Sequence, residues 1–410
     1  MKKVSMSELK ADGLRFSGLK SMFSEKFGCE PKRYFSAPGR TEICGNHTDH
    51  NRGKVVAAAV DLDIIAAVVP TLDGVVTVKS EGYPEDIIDT ADLEVKECEK
   101  NSSAALIRGV LAGMKNRGYK IGGFMAYTRS NVLKGSGLSS SAAFEVLIGT
   151  IISGLYNGGT VSEVEIAQIA QYAENEYFGK PSGLMDQMAS SIGGFIKIDF
   201  KDPEKPIIFP MQFDPADFGY SLCIIDSKSD HADLTNDYAG IPSEMKKVAE
   251  MLGHSCLREV TKNDIISRID DIRKACGDRA LLRAFHFLNE NVRVDLLESA
   301  ISARNIVKFL STINSSGDSS YKLLQNIYPC TVPKKQGINQ GVAVAICIAS
   351  DILDGRGAVR VHGGGFAGTV QAFVPTDMLE KFKSEIEAVF GAGSCYVLNI
   401  RPFGGIEVAQ

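Results

Sequence analysis

Two histidines and an aspartate lie within four consecutive positions, at His47, Asp49 and His50 in the segment "CGNHTDH". These side chains can coordinate a metal ion, exchange a proton or receive sugar hydroxyls. A metal site would require all three to converge on one ion, and no HExxH or similar helical spacing supports that arrangement. Glycines and a proline around the segment predict that the whole region is a loop: Pro38, Gly39, Gly45 and Gly53. Three interpretations therefore stay open: a solvated polar turn, a catalytic segment and a sugar-binding loop.

The segment "KGSGLSSSAAF", residues 134–144, has the composition of a phosphate-binding loop. Gly135 and Gly137 lack side chains, so backbone N–H groups can approach an anion, and the N-terminus of a following helix favours negative charge. The pattern GxxxxGK[ST] is absent, which argues against a P-loop NTPase. A serine-capped helix after a flexible loop is the alternative interpretation.

A further carboxylate follows the Pro/Gly-rich turn in "GKPSGLMDQMASS". Asp186 stands at the start of an apolar segment, where an aspartate commonly caps a helix or occupies its first turn. A rigid turn could equally present it as a general base. Sequence spacing does not decide between these roles.

The segment "HGGGFAGT" contains a formal GxGxxG at Gly363, Gly365 and Gly368. A dinucleotide fingerprint should open a helix, whereas the next residues, "TVQAFV", predict a strand. The segment is therefore interpreted as a tight turn between strands, or as a backbone wall beside a ligand where any Cβ would collide.

Strand and helix patterns alternate irregularly around these segments, which predicts an α+β fold rather than a regular βαβ repeat. The length of 410 residues favours two domains, and we place them at 1–205 and 206–410, with the boundary at "FKDPEKPIIFP". The predicted strands cover 55–60, 64–69, 75–79, 121–132, 220–226 and both sides of the glycine cluster. The predicted helices cover 9–27, 104–116, a segment from about 140, 161–177, most of the region between the strand at 220–226 and residue 313, and a segment from 378.

Composition excludes several classes of function. The net charge of −5 gives no reason to expect nucleic acid or an anionic membrane as a partner. Nine cysteines without a CxxC arrangement favour reduced thiols, and the sequence has neither a signal peptide nor an apolar run of the ~18 residues that a membrane helix needs. We therefore expect a cytoplasmic protein; its oligomeric state is left open, and a monomer is compatible with the sequence.

Taken together, four segments resemble the galactokinase family, part of the superfamily that includes homoserine, mevalonate and phosphomevalonate kinases. "PGRTEICGNHTDH" is similar to the family's PGR followed by GEHTDY, and "GSGLSSSA" is similar to its GxGLSSSA. "GLMDQ" and "VHGGGFAGT" are similar to its GxMDQ and its third, glycine-rich signature. The order and spacing match over almost the whole chain.

The resemblance implies a two-domain α+β kinase with its active site in the cleft between the domains. The implied reaction is ATP-dependent phosphorylation of galactose at the C1 hydroxyl, giving galactose 1-phosphate and ADP. By position, Asp186 would be the catalytic aspartate and Arg40 would pair with it and stabilise charge during transfer. The implied sugar contacts are Asn46, His47, Thr48, Asp49, Gly183 and Tyr238.

The resemblance also implies two cofactors, ATP and Mg²⁺. Ser141 and Glu174 match the family's magnesium ligands. The ATP phosphates would be covered by Gly135, Ser136, Gly137, Leu138, Ser139, Ser140 and Ser141.

Two departures from the family pattern concern the sugar. Asn46 replaces the glutamate of GEHTDY, and His50 replaces its tyrosine. We expect galactose to remain the substrate and Asn46→Glu to hold or improve its turnover. The alternatives are a kinase for N-acetylgalactosamine or arabinose, and a non-catalytic sugar and ATP sensor. Sensors of this family are altered around the serine loop, whereas "LSSSAA" is undisturbed here.

Overall fold

The computed structural model describes residues 2–9, 13–132, 137–229, 234–329 and 340–409. Within these ranges the chain forms two β-sheets with helices packed against them. The strands are Lys2–Ser5 (β1), Arg33–Cys44 (β2), Lys54–Pro70 (β3), Val75–Ser80 (β4), Glu85–Asp89 (β5), Phe124–Ser130 (β6), Phe195–Asp199 (β7), Ile207–Met211 (β8), Tyr220–Asp226 (β9), Ala358–Val361 (β10), Thr369–Pro375 (β11), Cys395–Leu398 (β12) and Ile406–Ala409 (β13).

Helices fill the segments between these strands, and no described helix has both the length and the apolar character that a membrane span requires. Two segments, Ala173–Phe178 and Ser320–Leu324, are π-helical. The α-helices are Gly13–Phe27 (α1), Ser103–Asn116 (α2), Ser140–Tyr156 (α3), Glu163–Tyr172 (α4), Met185–Ile192 (α5), Thr235–Met251 (α6), Lys262–Ser267 (α7), Ile269–Cys276 (α8), Asp278–Ser302 (α9), Ile306–Ser319 (α10), Gly341–Leu353 (α11) and Leu379–Phe390 (α12).

The larger sheet is mixed, and among the described residues it contains nine strands. Its main path runs β1, β13, β2, β3, β6, β4, β5, while β7 pairs with β3 and β8 pairs with β7. The pairs β1 with β13 and β4 with β6 are parallel, and the others are antiparallel. The smaller sheet is antiparallel in the order β10, β11, β9, β12.

A chain of aromatic side chains joins the two sheets. Phe195 of β7 lies 5.3 Å from Phe213, which lies 4.7 Å from Phe309 of α10, and Phe309 lies 5.0 Å from Phe373 of β11. These ring-centroid distances are in the range of favourable aromatic packing. The apolar core is therefore continuous between the sheets, and the relative position of the elements on either side is fixed by packing.

The larger sheet contains strands from both sides of the domain boundary predicted at residue 205. β8 pairs with β7, and the C-terminal strand β13 inserts between β1 and β2 of the larger sheet. The division into 1–205 and 206–410 stays a prediction. Any domain built on the larger sheet must also include these two later strands.

The α+β class is confirmed, and β9 covers 220–226 as predicted. The strands predicted at 55–60 and 64–69 form one strand, β3, which continues through residues 61–63 and pairs with β2 on both sides of them. The helix predicted at 161–177 begins later and ends in a π-helical segment. Our assignment of Pro38 and Gly39 to a loop was wrong, since both lie inside β2, where a register shift between Pro38 and Arg40 accommodates them.

Candidate active site

Arg40 is positioned by the irregularity in β2. Its backbone N–H donates to the carbonyl of Leu138 at 3.0 Å, which ties the strand to the loop before α3. The neighbouring Gly39 permits this approach, because a Cβ at that position would lie 3.0 Å from the same carbonyl oxygen. The strand and the candidate phosphate loop are thus in direct backbone contact.

The guanidinium of Arg40 forms a bidentate ion pair with Asp186. Nε donates to Oδ1 and Nη2 to Oδ2, both at 2.7 Å, and Nη1 donates to the carbonyl of Gly137. The Arg40 side chain is 7% exposed and that of Asp186 is 27% exposed. One buried cation therefore connects β2, the loop before α3 and the first turn of α5.

Asp186 is ionised at neutral pH. Burial acts to raise its pKa, but the charge and hydrogen bonds of Arg40 outweigh burial, so the pKa lies below the usual value for an aspartate. Its place in the first turn of α5 also favours a negative charge. From the sequence alone, Asp186 could be a helix cap, a charge in the first turn of a helix or a general base. The structure places it in the first turn of α5, in contact with Arg40.

The loop between β2 and β3 is held by three side chains of α9. Glu290 accepts from the backbone N–H of Gly45 at 3.1 Å, and Asn291 accepts from that of Lys54 at 2.7 Å. His286 donates from Nε2 to the carbonyl of Asn46 at 2.9 Å. α9 therefore fixes both ends of the loop that contains the two histidines.

Sequence reasoning missed these α9 residues. Burial acts to raise the pKa of Glu290, yet His286, Arg360 and Arg293 lower it to about 2, so a buried carboxylate stays charged beside the loop. The available signal was the i, i+4 spacing of His286 and Glu290 within an otherwise apolar helical pattern. That spacing predicts a shared helix face but not which loop the face contacts.

His47 has a left-handed backbone conformation, with φ of 56°. Its Nε2 donates to the carbonyl of Gly364 at 2.9 Å, while its Nδ1 is buried without a hydrogen-bond partner among the described residues. Burial lowers the pKa of His47 to about 3, so the ring is neutral and Nδ1 is an acceptor. This orphaned acceptor is the kind of group that a ligand hydroxyl can satisfy.

Asp49, Gly183 and Tyr238 lie beside His47 and the glycine segment. The Asp49 carboxylate accepts the backbone N–H of His50 at 3.0 Å, and a Cβ on Gly183 would overlap its other oxygen. Tyr238 donates to the carbonyl of Gly365 at 3.0 Å. The structure thus brings together three side chains and one backbone position that the resemblance assigned to sugar binding.

Thr48 and Asn46 are placed differently from the other implied sugar contacts. The Thr48 hydroxyl is buried and lies 2.8 Å from the carbonyl of Gly45 and 2.7 Å from that of Lys54. It closes the loop on itself. For Thr48, a direct sugar contact stays a prediction, and the geometry indicates a positioning role.

All four hydrogen-bonding positions of the Asn46 amide are occupied by protein atoms. Its Nδ2 donates to Glu42 at 3.1 Å and to the carbonyl of Gly363 at 2.7 Å. Its Oδ1 accepts from Asn326 at 2.8 Å and from Ser320 at 3.3 Å. A direct sugar contact from Asn46 also stays a prediction, and it would require one of these buried bonds to break.

Glu42 links this network to a buried cation. Its other carboxylate oxygen pairs with Arg360 at 2.7 Å, and Arg360 also donates to the carbonyl of Ile43 at 2.7 Å. Both side chains are almost inaccessible to solvent, at 3% and 0%. Burial raises the pKa of Glu42 despite the opposing charge of Arg360, so a second carboxylate placed nearby would be strongly disfavoured.

The candidate phosphate loop is described from Gly137 onward, so Gly135 and Ser136 lie outside the described residues. Gly137 has a positive φ of 69°, and a Cβ there would lie 2.7 Å from the Thr369 hydroxyl and 2.9 Å from His362 Nδ1. The loop therefore packs directly on the third glycine-rich segment. Three residues follow it towards α3, which begins at Ser140: Leu138, which is fully buried, Ser139, and Ser140 itself.

Ser141 and Glu174 provide oxygen atoms suited to Mg²⁺. The Ser141 hydroxyl donates to Glu174 Oε1 at 3.0 Å, and the Glu174 side chain is only 3% exposed. Hard oxygen donors of this kind, one carboxylate and one hydroxyl, are what Mg²⁺ uses together with substrate phosphates and water. Among the described residues no three acids, histidines or cysteines form a metal-binding group, so phosphate oxygens and water would have to complete the coordination.

Two family models match the chain in the regions that carry this site. The galactokinase galactose-binding signature matches residues 21–70, and the GHMP kinases N terminal domain matches residues 104–194. A galactokinase of Actinobacillus pleuropneumoniae serotype 3 is 31% identical over 366 residues, which are 88% of this chain and 90% of that protein. The chain belongs to the galactokinase family. A galactokinase of Streptomyces coelicolor is 28% identical over 373 residues, covering 90% of this chain and 92% of that protein.

Solved structures agree with membership of the galactokinase family. The crystal structure of Lactococcus lactis galactokinase complexed with galactose is 25% identical, with a TM-score of 0.80 and coverage of 95% of this chain and 99% of that one. A mevalonate kinase structure, 14% identical, has a TM-score of 0.62 over 90% of this chain and 99% of that one, and so shares the fold. The family resemblance drawn from the four segments is confirmed.

We predict that Asn46→Glu destabilises the folded protein, a property separate from the galactose turnover that the sequence led us to expect this variant to hold or improve. The substitution removes two N–H donors and places a second carboxylate beside Glu42 in a buried network. The free energy of unfolding, measured by urea denaturation, should fall by at least about 2 kcal/mol.

The matched control is the exchanged pair, Glu42→Gln with Asn46→Glu. It restores one carboxylate and one amide, so it should recover part of the stability lost in Asn46→Glu alone. Wild-type stability in the single variant would contradict the hydrogen-bonding network described for Asn46.

A second prediction concerns His47 and pH. An unfolded chain protonates this histidine below its ordinary pKa of 6.5, whereas the folded protein does so only near 3. Unfolding therefore takes up a proton between these values, and the stability contributed by His47 is lost as pH falls below 6.5. His47→Asn, which tolerates the left-handed backbone, should reduce the slope of unfolding free energy against pH between 6 and 5 by up to about 1.4 kcal/mol per unit. An unchanged slope would show that His47 titrates normally.

Proposed function

We propose that this protein transfers the γ-phosphoryl group of ATP to the C1 hydroxyl of galactose, giving galactose 1-phosphate and ADP. The observation that carries the proposal is the ion pair of Arg40 and Asp186, which also reaches the loop before α3 through Gly137. The ionised carboxylate and its cation lie beside the candidate phosphate loop, and Gly183, three residues before Asp186, lies against Asp49 of the loop between β2 and β3. Membership of the galactokinase family supports the same reaction.

Asp186 would accept the hydrogen bond of the C1 hydroxyl and take its proton as the new O–P bond forms. A free sugar hydroxyl is a poor nucleophile near pH 7, so an adjacent carboxylate that receives the proton is useful. The lowered pKa of Asp186 keeps it ionised and ready to accept. Arg40 would hold the carboxylate in one orientation and stabilise negative charge as the phosphoryl group moves.

The sugar would be bound by groups that still have hydrogen-bonding capacity. His47 Nδ1 is a buried acceptor without a partner among the described residues, and Asp49 faces a backbone position that has no side chain, Gly183. Tyr238 would border the pocket through its ring, because its hydroxyl donates to Gly365. Asn46 and Thr48 would position the loop that forms this pocket and would not contact the sugar.

Ser141 and Glu174 would hold Mg²⁺ through their oxygen atoms. When bound, the ion would neutralise charge on the ATP phosphates. The segment Gly137–Ser141 would line these phosphates, with the N-terminus of α3 favouring their negative charge. We also propose a cytoplasmic location, supported by the free state of all eight cysteines among the described residues.

Two alternatives differ in substrate or in class. A kinase for N-acetylgalactosamine or arabinose would use the same phosphate and catalytic groups with a different sugar pocket. A sensor would bind sugar and ATP without turnover. Sugar-dependent ADP release separates the sensor from both kinases.

The third prediction is that purified protein releases ADP from MgATP only when a galactose-configured sugar is added. We expect galactose to give the highest kcat/KM in a panel with N-acetylgalactosamine, arabinose, glucose and mannose, and EDTA to abolish turnover. Sugar binding without ADP release would favour the sensor, and a higher kcat/KM for another sugar would reassign the substrate.

The fourth prediction concerns Asp186→Asn. The substitution keeps the side-chain shape but removes the proton acceptor and the negative charge, so kcat should fall by roughly 10²-fold or more, within the range of general acid–base catalysis. Galactose binding, measured by calorimetry, should persist.

Asp377→Asn is the control for this experiment. Both carboxylate oxygens of Asp377 accept from Nη2 of Arg356, at 2.7 and 2.9 Å, on the surface and outside the candidate site. The same chemical change there should leave kcat unchanged. Near-normal kcat in Asp186→Asn would place the catalytic centre elsewhere.

A further inference from the structure

Lys180 lies between the π-helical segment Ala173–Phe178 and α5, where it contacts the candidate metal ligand. Its backbone N–H donates to the carbonyl of Glu174 at 3.1 Å, which anchors the residue. Its ammonium lies 2.9 Å from Glu174 Oε1, while the side chain is 57% exposed. The base of Lys180 is therefore fixed and its charged end can move.

The ammonium of Lys180 competes for the oxygen that a metal ion would use. Glu174 Oε1 already accepts from Ser141 at 3.0 Å, and Oε2 accepts from Gln187 at 2.8 Å. An ammonium has no lone pair and cannot coordinate a metal ion. A divalent cation on Oε1 would also repel it at short range, so Lys180 must leave this oxygen when the cation binds.

The displaced ammonium would remain near α5, whose first turn carries Asp186. Gln187, the residue after Asp186, donates to the Glu174 carboxylate at 2.8 Å, so Lys180 and the first turn of α5 contact the same carboxylate. Nucleotide phosphates bound before α3 would bring new negative charge to this region. Lysine is well suited to them, because its ammonium is a compact charge on a flexible stem.

We propose that Lys180 alternates between two anions: it pairs with Glu174 when no nucleotide is bound, and it binds the nucleotide's phosphate oxygens when a divalent cation occupies Glu174. The proposal rests on the proposed function, since it assumes the metal and nucleotide positions given above. It adds a phosphate-binding residue that none of the four sequence segments indicated. A purely structural ion pair, in which Lys180 only holds Glu174 in place, is the competing explanation.

Mn²⁺ binding to the nucleotide-free protein, followed by electron paramagnetic resonance, tests the first half of the proposal. Lys180→Met keeps the length of the stem but removes the competing charge. It should tighten Mn²⁺ binding by about twofold to fivefold, which is the range for an exposed ion pair. If Lys180 only positions Glu174, the substitution should weaken or not change Mn²⁺ binding, and the proposal fails.

Calorimetric titration with the non-hydrolysable analogue AMPPNP in excess Mg²⁺ tests the second half. Lys180→Met should weaken binding of the analogue by about tenfold, because a charge-assisted hydrogen bond is lost, and Lys180→Arg should retain part of it. The KM for sugar should stay unchanged. Wild-type affinity for AMPPNP in Lys180→Met would overturn the phosphate-binding role.

Lys100→Met is the matched control for both titrations. The stem of Lys100 lies against Gly179, next to Lys180, and its ammonium pairs with Glu97 at 2.8 Å on the surface. Neither Mn²⁺ nor AMPPNP affinity should change in this variant. A change equal to that of Lys180→Met would show that the loss of one positive charge, and not the position of Lys180, alters the two affinities, and it would overturn the proposal. Both titrations measure binding, so they remain interpretable even if sugar-dependent ADP release is not observed.

Discussion

The bidentate pair of Arg40 and Asp186 is the interaction on which the rest of the site depends. A buried guanidinium requires a partner for each N–H, and here its partners come from α5 and from the loop before α3. The irregularity in β2 brings the arginine to this position, and Gly39 allows the loop to approach the strand. Loss of the Asp186 contact would leave an uncompensated buried charge, and loss of the Gly137 contact would leave a buried N–H without its acceptor. The geometry of the carboxylate and that of the phosphate loop are therefore coupled through Arg40.

A second set of buried polar and charged groups fixes the loop between β2 and β3 from the C-terminal half of the chain. Glu290 and His286 of α9 hold its backbone, and Arg360 next to the glycine segment neutralises Glu42. The loop between β2 and β3 contains one short 3₁₀ turn and is closed internally by the Thr48 hydroxyl. Its position relative to the rest of the site is set by these neighbours, which explains why helices distant in sequence are part of the site.

The sequence pointed to residues inside motifs that the structure brings into contact, Arg40 with Asp186 and Ser141 with Glu174, and their roles stay proposals. Asp186 was considered from its local pattern, whereas the roles of Arg40, Glu174 and Ser141 came from the family resemblance alone. The residues that support these motifs were not found. His286, Glu290 and Lys180 could not be found, because their roles arise from contacts between segments that are far apart or lack a pattern. The strand containing Pro38 and Gly39 was misassigned for a related reason: local propensity favours a loop, and pairing with β3 on a buried sheet overrides it.

The sequence marks asparagine at position 46, in place of the family's glutamate, as a change that concerns the sugar, whereas the structure places this residue in a buried hydrogen-bonding network. Asn46 is bonded at 3.1 Å to Glu42, so a carboxylate remains in the same buried network although the residue at 46 is neutral. That carboxylate faces Arg360 and is only 3% exposed, so it organises the loop rather than receiving a sugar hydroxyl. In the proposed function, the polar groups available to a sugar are therefore those of His47 and Asp49, and these residues match the family signature. A difference at position 46 would then act on the sugar through the position of the loop, and it would not by itself indicate a different sugar.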